Sequence, residues 1–252
     1  MRGPCSIIAA ATHSSSGSRR VLVPSRRRGV EILDDPATDP VLRARSIGDV
    51  TRSNTLLGGT RAVLSELARL FPSLGASATL LDVGTGLADI PRRARGRARA
   101  RGLALRAFGL DEAESLSREA RAALDGTVCG DARALPVATA SVDVVTCSQL
   151  LHHFADDEIP TILRELDRVA RDWIVVSDLR RSWIAAWGFW LVSWPLRFHR
   201  VTRHDGFVSV LRGFTADELA RHILTATGQR PDVRRHLGYR ITATWRPRRA
   251  AS

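Results

Sequence analysis

Thr79 to Pro91 reads TLLDVGTGLADIP, an apolar run that ends in Asp82 and breaks at once into a glycine turn, Gly84-Thr85-Gly86. A short apolar run bounded by turn residues is the pattern of a strand buried on both faces of a parallel sheet. The turn leads directly into a helix start, so backbone N–H groups converge where a nucleotide-like ligand finds donors. A dinucleotide fingerprint has a third glycine, and at its position this chain carries Asp89. Without that glycine the tight helix packing against a pyrophosphate is missing, which argues against NAD as the ligand.

Downstream, LALRAFGL (residues 103–110) reads as a second strand and ends in Asp111, 25 residues after Gly86. Doubly wound folds place there a carboxylate that accepts from ribose hydroxyls, one oxygen for each O–H of a vicinal diol. TVCGDARALP (127–136) is a short β-like run ending at Gly130-Asp131-Ala132, and SVDVVTCSQLLHHF (141–154) supplies a fourth strand.

Taken in order, these four segments resemble motifs of class I S-adenosylmethionine-dependent methyltransferases, most closely in style the quinone-biosynthesis and small-molecule enzymes. The resemblance covers residues 77–178 well and the flanks more loosely. It implies a Rossmann-like, doubly wound seven-stranded sheet whose last strand is antiparallel, with S-adenosylmethionine as cofactor. It further implies that Asp82, Gly84, Thr85 and Gly86 wrap the amino-acid end of the cofactor, that Asp111 holds the ribose, and that Asp131 and Ala132 lie beside the adenine. Ser148, in the loop after the fourth strand, completes that set. CSQLL at this place is not the NPPY-like tetrad that marks amino-group methylation of nucleic acid or protein.

A chain of 252 residues with 44% hydrophobic residues holds one large α/β domain with additions. All 38 basic residues are arginine and the net charge is +12. Residues 1–30 carry six Arg and 240–252 four, neither with an acid, which leaves 28 Arg against 26 acids between them. The excess sits in the tails, and no nucleic-acid partner is expected. Six further arginines between Arg92 and Arg101 fall at alternate positions, which spread around a helix rather than forming a stripe, and read as a solvated surface. Cys5, Cys129 and Cys147 form no CxxC pair; the last two are expected in core strands of a cytoplasmic protein. The histidines show no zinc spacing, so no metal is expected.

Residues 1–30 are expected to be a disordered Arg-rich tail. Residues 31–76 form an N-terminal helical cap, with Asp39-Pro40 opening one helix and Thr60 to Phe71 presenting an apolar face. Between the two, the resemblance implies that Arg52 or Asn54 meets the methionine carboxylate of the cofactor; read without it, Arg52 is solvated and Asn54 caps a turn. Residues 77–252 are the main domain, closed by the helix Phe214–Gly228, with Thr215 and Glu218 as a capping box, and by a pair of strands in 233–245.

Within that domain, residues 179–213 form an insertion expected to cover the substrate. Four of the six tryptophans lie in Trp183 to Leu196, a run too short to span a bilayer. Trp187, Trp190 and Trp194 share a helical face and are expected to contact a greasy small substrate; peripheral contact with a membrane is the other use of such a face. His152, His153 and His204 are the candidate bases, His204 with Asp205 as a dyad. The expected reaction is O-methylation of a phenolic, quinol or polyketide-like molecule. Alternatives are carbon methylation of a quinol ring, RNA methylation through the Arg tails, and a non-catalytic, membrane-docking protein of the same fold.

Overall fold

The computed structural model describes residues 23–26, 29–34 and 39–248. Seven strands form one sheet: β1 (Ser77–Val83), β2 (Ala104–Asp111), β3 (Gly126–Cys129), β4 (Val142–Ser148), β5 (Ala170–Leu179), β6 (Asp232–His236) and β7 (Arg240–Trp245). Their order is β3-β2-β1-β4-β5-β7-β6; β1 to β5 are parallel, and β7 lies antiparallel between β5 and β6. The expected seven-stranded sheet with an antiparallel last strand is what the chain forms.

Alternation along the central strands feeds two cores. Leu80, Val144 and Val175 point to one face, where they meet Val63, Leu64 and Leu67 of α2 (Gly59–Leu70) and Ala94 and Ala98 of α3 (Asp89–Arg99). Leu81, Val83, Val145, Ile174 and Val176 point to the other, against α5 (Ile159–Val169) and α8 (Ala216–Thr227). Burial on both faces is why these strands read as near-continuous apolar runs. In α3 the apolar positions Ile90, Ala94 and Ala98 fall four apart and face the sheet, while most of the arginines between them face water. α8 opens on the capping box of Thr215 and Glu218 and stops at Gly228, which takes a left-handed φ of 73°.

Helix α1 (Pro40–Leu56), N-capped by Asp39, packs with α2 on one side of the carboxyl ends of the strands. The insertion between β5 and α8 forms α6 (Trp183–Val192) and α7 (Arg200–Arg212), which pack on each other, with α7 also touching α1. α4 (Glu114–Ala120) follows β2. Among the described residues, no helix is long and apolar enough to cross a membrane.

Two sequence expectations change here. The tail boundary at residue 30 is too late. Pro24 is buried and its carbonyl accepts from the buried Arg181 at 2.7 Å, Arg26 stacks on Phe214 and pairs with Asp156, and the Gly29 carbonyl accepts from Arg212. Arg26 is therefore a structural cation with built partners; residues 1–22, Cys5 included, and residues 27–28 lie outside the described residues. Cys129 is exposed, because β3 is an edge strand with little covering it, whereas Cys147 is buried in the centre of the sheet.

Candidate functional site

At the carboxyl end of the sheet, β1 neighbours β2 on one side and β4 on the other, and connections leave in opposite directions. A crevice at such a reversal is where open α/β sheets hold ligands. Here it is a cavity of about 600 Å³, within the range of small-molecule and cofactor sites.

The glycine turn forms one wall. Gly84 and Thr85 donate their N–H groups to the Leu110 carbonyl at 2.8 and 3.0 Å, which ties the turn to β2. Gly84 and Gly86 take φ values of 74° and 52°, and a Cβ built on Gly86 meets nothing within 4 Å, so the backbone there faces open space. Asp111, at the end of β2, accepts from Gly86 N–H at 2.9 Å and from Ala113 N–H at 3.0 Å. One lone pair remains on each of its oxygens.

Beneath the turn lies Asp82, 1% exposed. Burial pushes its carboxyl from 3.8 up to about 7; the Thr146 hydroxyl, donating at 2.6 Å, offsets part of that cost. Thr85 also turns its hydroxyl to Asp82, whereas Ser148 Oγ and Arg240 Nε are buried without a hydrogen-bond partner among the described residues, and all three residues line the cavity. Orphaned polar atoms converging on one space are the mark of a site built for a polar ligand. Arg240 donates to Gln149 at 2.9 Å, and burial lowers its guanidinium to about 10, which leaves it charged at neutral pH.

The opposite wall carries the ionisable groups. His152 follows β4 in a single 3-10 turn, and its Nδ1 lies 2.7 Å from Asp178 Oδ1 at the end of β5, both side chains buried. Burial alone would raise the Asp178 carboxyl, but His152 and the Leu179 N–H bring it below its ordinary value. An ionised Asp178 accepts from Nδ1–H and leaves Nε2 as the basic nitrogen of His152. The His153 ring lies 4.2 Å from that of His152, and Nδ1 of His153 is 3.7 Å from Glu31.

Glu31 is buried and is held by Arg212 at 2.9 Å and Ser209 at 2.8 Å. Ligand-capable atoms of Glu31, His152 and His153 all lie within 4.8 Å of one another. The Arg212 guanidinium on Glu31 would repel a cation placed there.

The remaining walls are largely apolar: Ile47, Val50 and Leu57 of the N-terminal cap, and Ile184, Phe189, Val192 and Val210 of the insertion. Gly206 permits the close approach of α7 to α6, since a Cβ there would sit 2.1 Å from the Phe189 ring.

Residues 81–172 match the family model for a methyltransferase domain. The chain carries a class I, S-adenosylmethionine-dependent methyltransferase domain. Its cofactor is S-adenosylmethionine, and the open Gly86, the carboxylate of Asp111 and the orphaned Ser148 and Arg240 atoms suit a ligand with a polar amino-acid end and a diol. The methyltransferase domain has many structural neighbours; the three described next share 13–17% identity with it, so the likeness is one of fold. Magnesium protoporphyrin IX methyltransferase from Synechocystis PCC 6803, with bound S-adenosylhomocysteine, has a TM-score of 0.53 at 13% identity over 86% of this chain and 91% of that one. The plantazolicin methyltransferase in complex with S-adenosylhomocysteine has a TM-score of 0.56 at 14% identity, covering 78% of this chain and 74% of that one. A SAM-dependent methyltransferase from Aquifex aeolicus follows at 0.51, 17% identity, 78% and 97%. No curated protein sequence matches the chain closely enough to count as a relative.

Of the residues expected at the site, Asp82, Gly84, Thr85, Gly86, Asp111, Ser148, His152 and His153 line the cavity, and Asn54 joins them. Arg52 does not; it is exposed, its guanidinium 5.8 Å from the centre of the Phe198 ring. Asp131 and Ala132 also stand outside the lining. Asp131 is turned onto Arg133, accepting from its backbone N–H at 2.8 Å and its guanidinium at 2.9 Å. His204 does bond to Asp205 at 2.9 Å, but the His204 ring is half exposed and outside the cavity, and Asp205 caps Ile32 and Leu33 N–H. Trp187, Trp190 and Trp194 are not in the lining either; they face outward, and Phe189 takes the position expected of them. Glu31, Asp178 and Arg240 had no signal in the sequence beyond their charge.

Proposed function

We propose that this methyltransferase acts on a small lipophilic molecule at a phenolic or quinol oxygen, with His152 as the base. The buried His152–Asp178 pair opening on an apolar cavity is the observation that carries this reading. Bound S-adenosylmethionine supplies a methyl group on a positively charged sulfur, an electrophile with an excellent leaving group.

What remains for the protein is to hold the acceptor in line with that methyl and to remove its proton. The Gly84–Gly86 turn, Asp111 and Ser148, at the ends of β1, β2 and β4, would hold the cofactor. With Ile184 and Val192 at the mouth, Phe189 and Val210 enclose the acceptor and exclude water, which strengthens every charge interaction inside. His152 Nε2 takes the hydroxyl proton while Asp178 fixes the ring and balances the imidazolium that forms. Alignment and proton removal together lower the barrier by several kcal/mol.

Turnover of a panel of phenols, catechols and quinols by the wild type and by His152→Gln tests the reading. We expect kcat to fall about 10²-fold or more in the variant, within the usual range for a general base, with affinity for S-adenosylhomocysteine unchanged. Methylation at full rate by a folded His152→Gln protein removes the base from the mechanism. Products methylated at ring carbon would move the reaction to the quinol ring.

A further inference from the structure

Helix α6 contains no polar side chain: its sequence is WIAAWGFWLV. A helix that is apolar all round is ordinarily buried or in a membrane. This one is buried on one side only. Trp187, Trp190, Leu191 and, just past the helix, Trp194 are 57, 38, 66 and 54% exposed, and Ile184 and Val192 are exposed beside them.

Successive residues turn by 100°, which puts Ile184, Trp187, Trp190 and Leu191 on one outward face, with Trp194 continuing its line. Ala185 and Ala186 occupy the buried side, and Gly188, Phe189 and Val192 turn toward the cavity. The tryptophans stack edge to face along the outward line, with ring centroids 5.9 Å (Trp187 to Trp190) and 5.6 Å (Trp190 to Trp194) apart. Contiguous exposed aromatic surface of this kind marks a contact site.

Charge says what kind. Between Asp178 and Asp205 the chain has no acid and five arginines. Arg197 and Arg200 are exposed next to Trp194, and the Arg203 guanidinium lies 4.1 Å from the centre of the Trp194 ring. Tryptophan rings rimmed by arginine suit the boundary between acyl chains and anionic headgroups, where an indole keeps its N–H wet and its body dry.

We propose that the outward face of α6 docks on an anionic phospholipid bilayer, lying in the interface without crossing it. Ile184 and Val192 belong both to this exposed rim and to the cavity lining, so the mouth of the site opens at the membrane surface. Uptake of a lipophilic acceptor from the bilayer rests on the function proposed above; the docking does not.

Co-sedimentation of the full chain with vesicles of phosphatidylcholine, with and without phosphatidylglycerol, tests it, read beside the blue shift of tryptophan emission. The wild type should bind the anionic vesicles and lose binding as salt rises. Leu191→Glu should weaken binding at least tenfold, about the loss for one buried leucine, with S-adenosylhomocysteine affinity and melting temperature unchanged, because Leu191 lines no part of the cavity. Trp187→Ser with Trp194→Ser is the second variant and should act likewise. A wild type that stays in the supernatant overturns the proposal. So does equal sedimentation of wild type and Leu191→Glu, which would assign binding to the Arg tails. A dimer that Leu191→Glu dissociates, with no vesicle binding, would make a second copy the occupant and also overturn it.

Discussion

Asp82 offers a quantitative check on the architecture, because its carboxyl is raised to about 7 by complete burial under the glycine turn. An unfolded chain releases this proton near 3.8. Between those values the folded protein holds a proton that the unfolded one has lost, so stability falls as pH rises through the window. Each unit is worth about 1.4 kcal/mol, and an assay run from pH 5 to pH 8 crosses roughly two units of it, a loss of about 3 kcal/mol from this group. Asp82→Asn keeps the shape and an oxygen to accept from Thr146 but has nothing to titrate. Urea unfolding of both proteins at pH 5, 6, 7 and 8 isolates the effect, since every other titrating group is common to the two. The variant should gain on the wild type by about 3 kcal/mol across the series, most of it between pH 5 and 7. Parallel curves would mean that Asp82 is ionised in the folded protein and that water or a donor reaches it.

Asp111→Ala should weaken S-adenosylhomocysteine binding about 10- to 100-fold by calorimetry, through loss of charge-assisted hydrogen bonds and of the Gly86 tether; an unchanged Kd in a folded variant would make Asp111 a turn residue only. Deleting residues 1–30 removes the Pro24 carbonyl from the buried Arg181 and the Arg26 contacts, and should cost about 1–3 kcal/mol, seen as a melting temperature lower by several degrees with cofactor affinity retained. An unchanged melt would show those contacts to be dispensable.

The turn, the strands and the caps were legible in the sequence because local chemistry dictates them. Gly84 and Gly86 need positive φ, Thr215 and Glu218 satisfy each other's backbone, and the buried strands carry apolar runs. The insertion was legible in position and not in orientation. In α6 every residue is apolar or glycine, so helical periodicity has no polar side to tell in from out, and the bulky Trp187, Trp190 and Trp194 ended outside while Phe189 went in. Partnerships over long separations left no trace either: His152 finds Asp178 26 residues on, and Glu31 finds Arg212 181 residues on. Arg26 was misread for a related reason, since an arginine-rich, acid-free stretch has the composition of a solvated tail wherever its partners lie elsewhere in the chain.

The place of β7 sets a timetable. Its first residue, Arg240, supplies a wall of the cavity, and the strand is inserted between β5 and β6 rather than added at an edge. During synthesis the glycine turn, the histidines and both helices of the insertion leave the ribosome before the strand that completes their enclosure. Until then β5 has an open edge and the apolar inner face of the insertion has no lining opposite it at the Tyr239–Arg240 side. Domains made this way are exposed to misassembly late in translation. A nascent chain arrested before β7 has emerged thus leaves the β5 edge and one side of the cavity open.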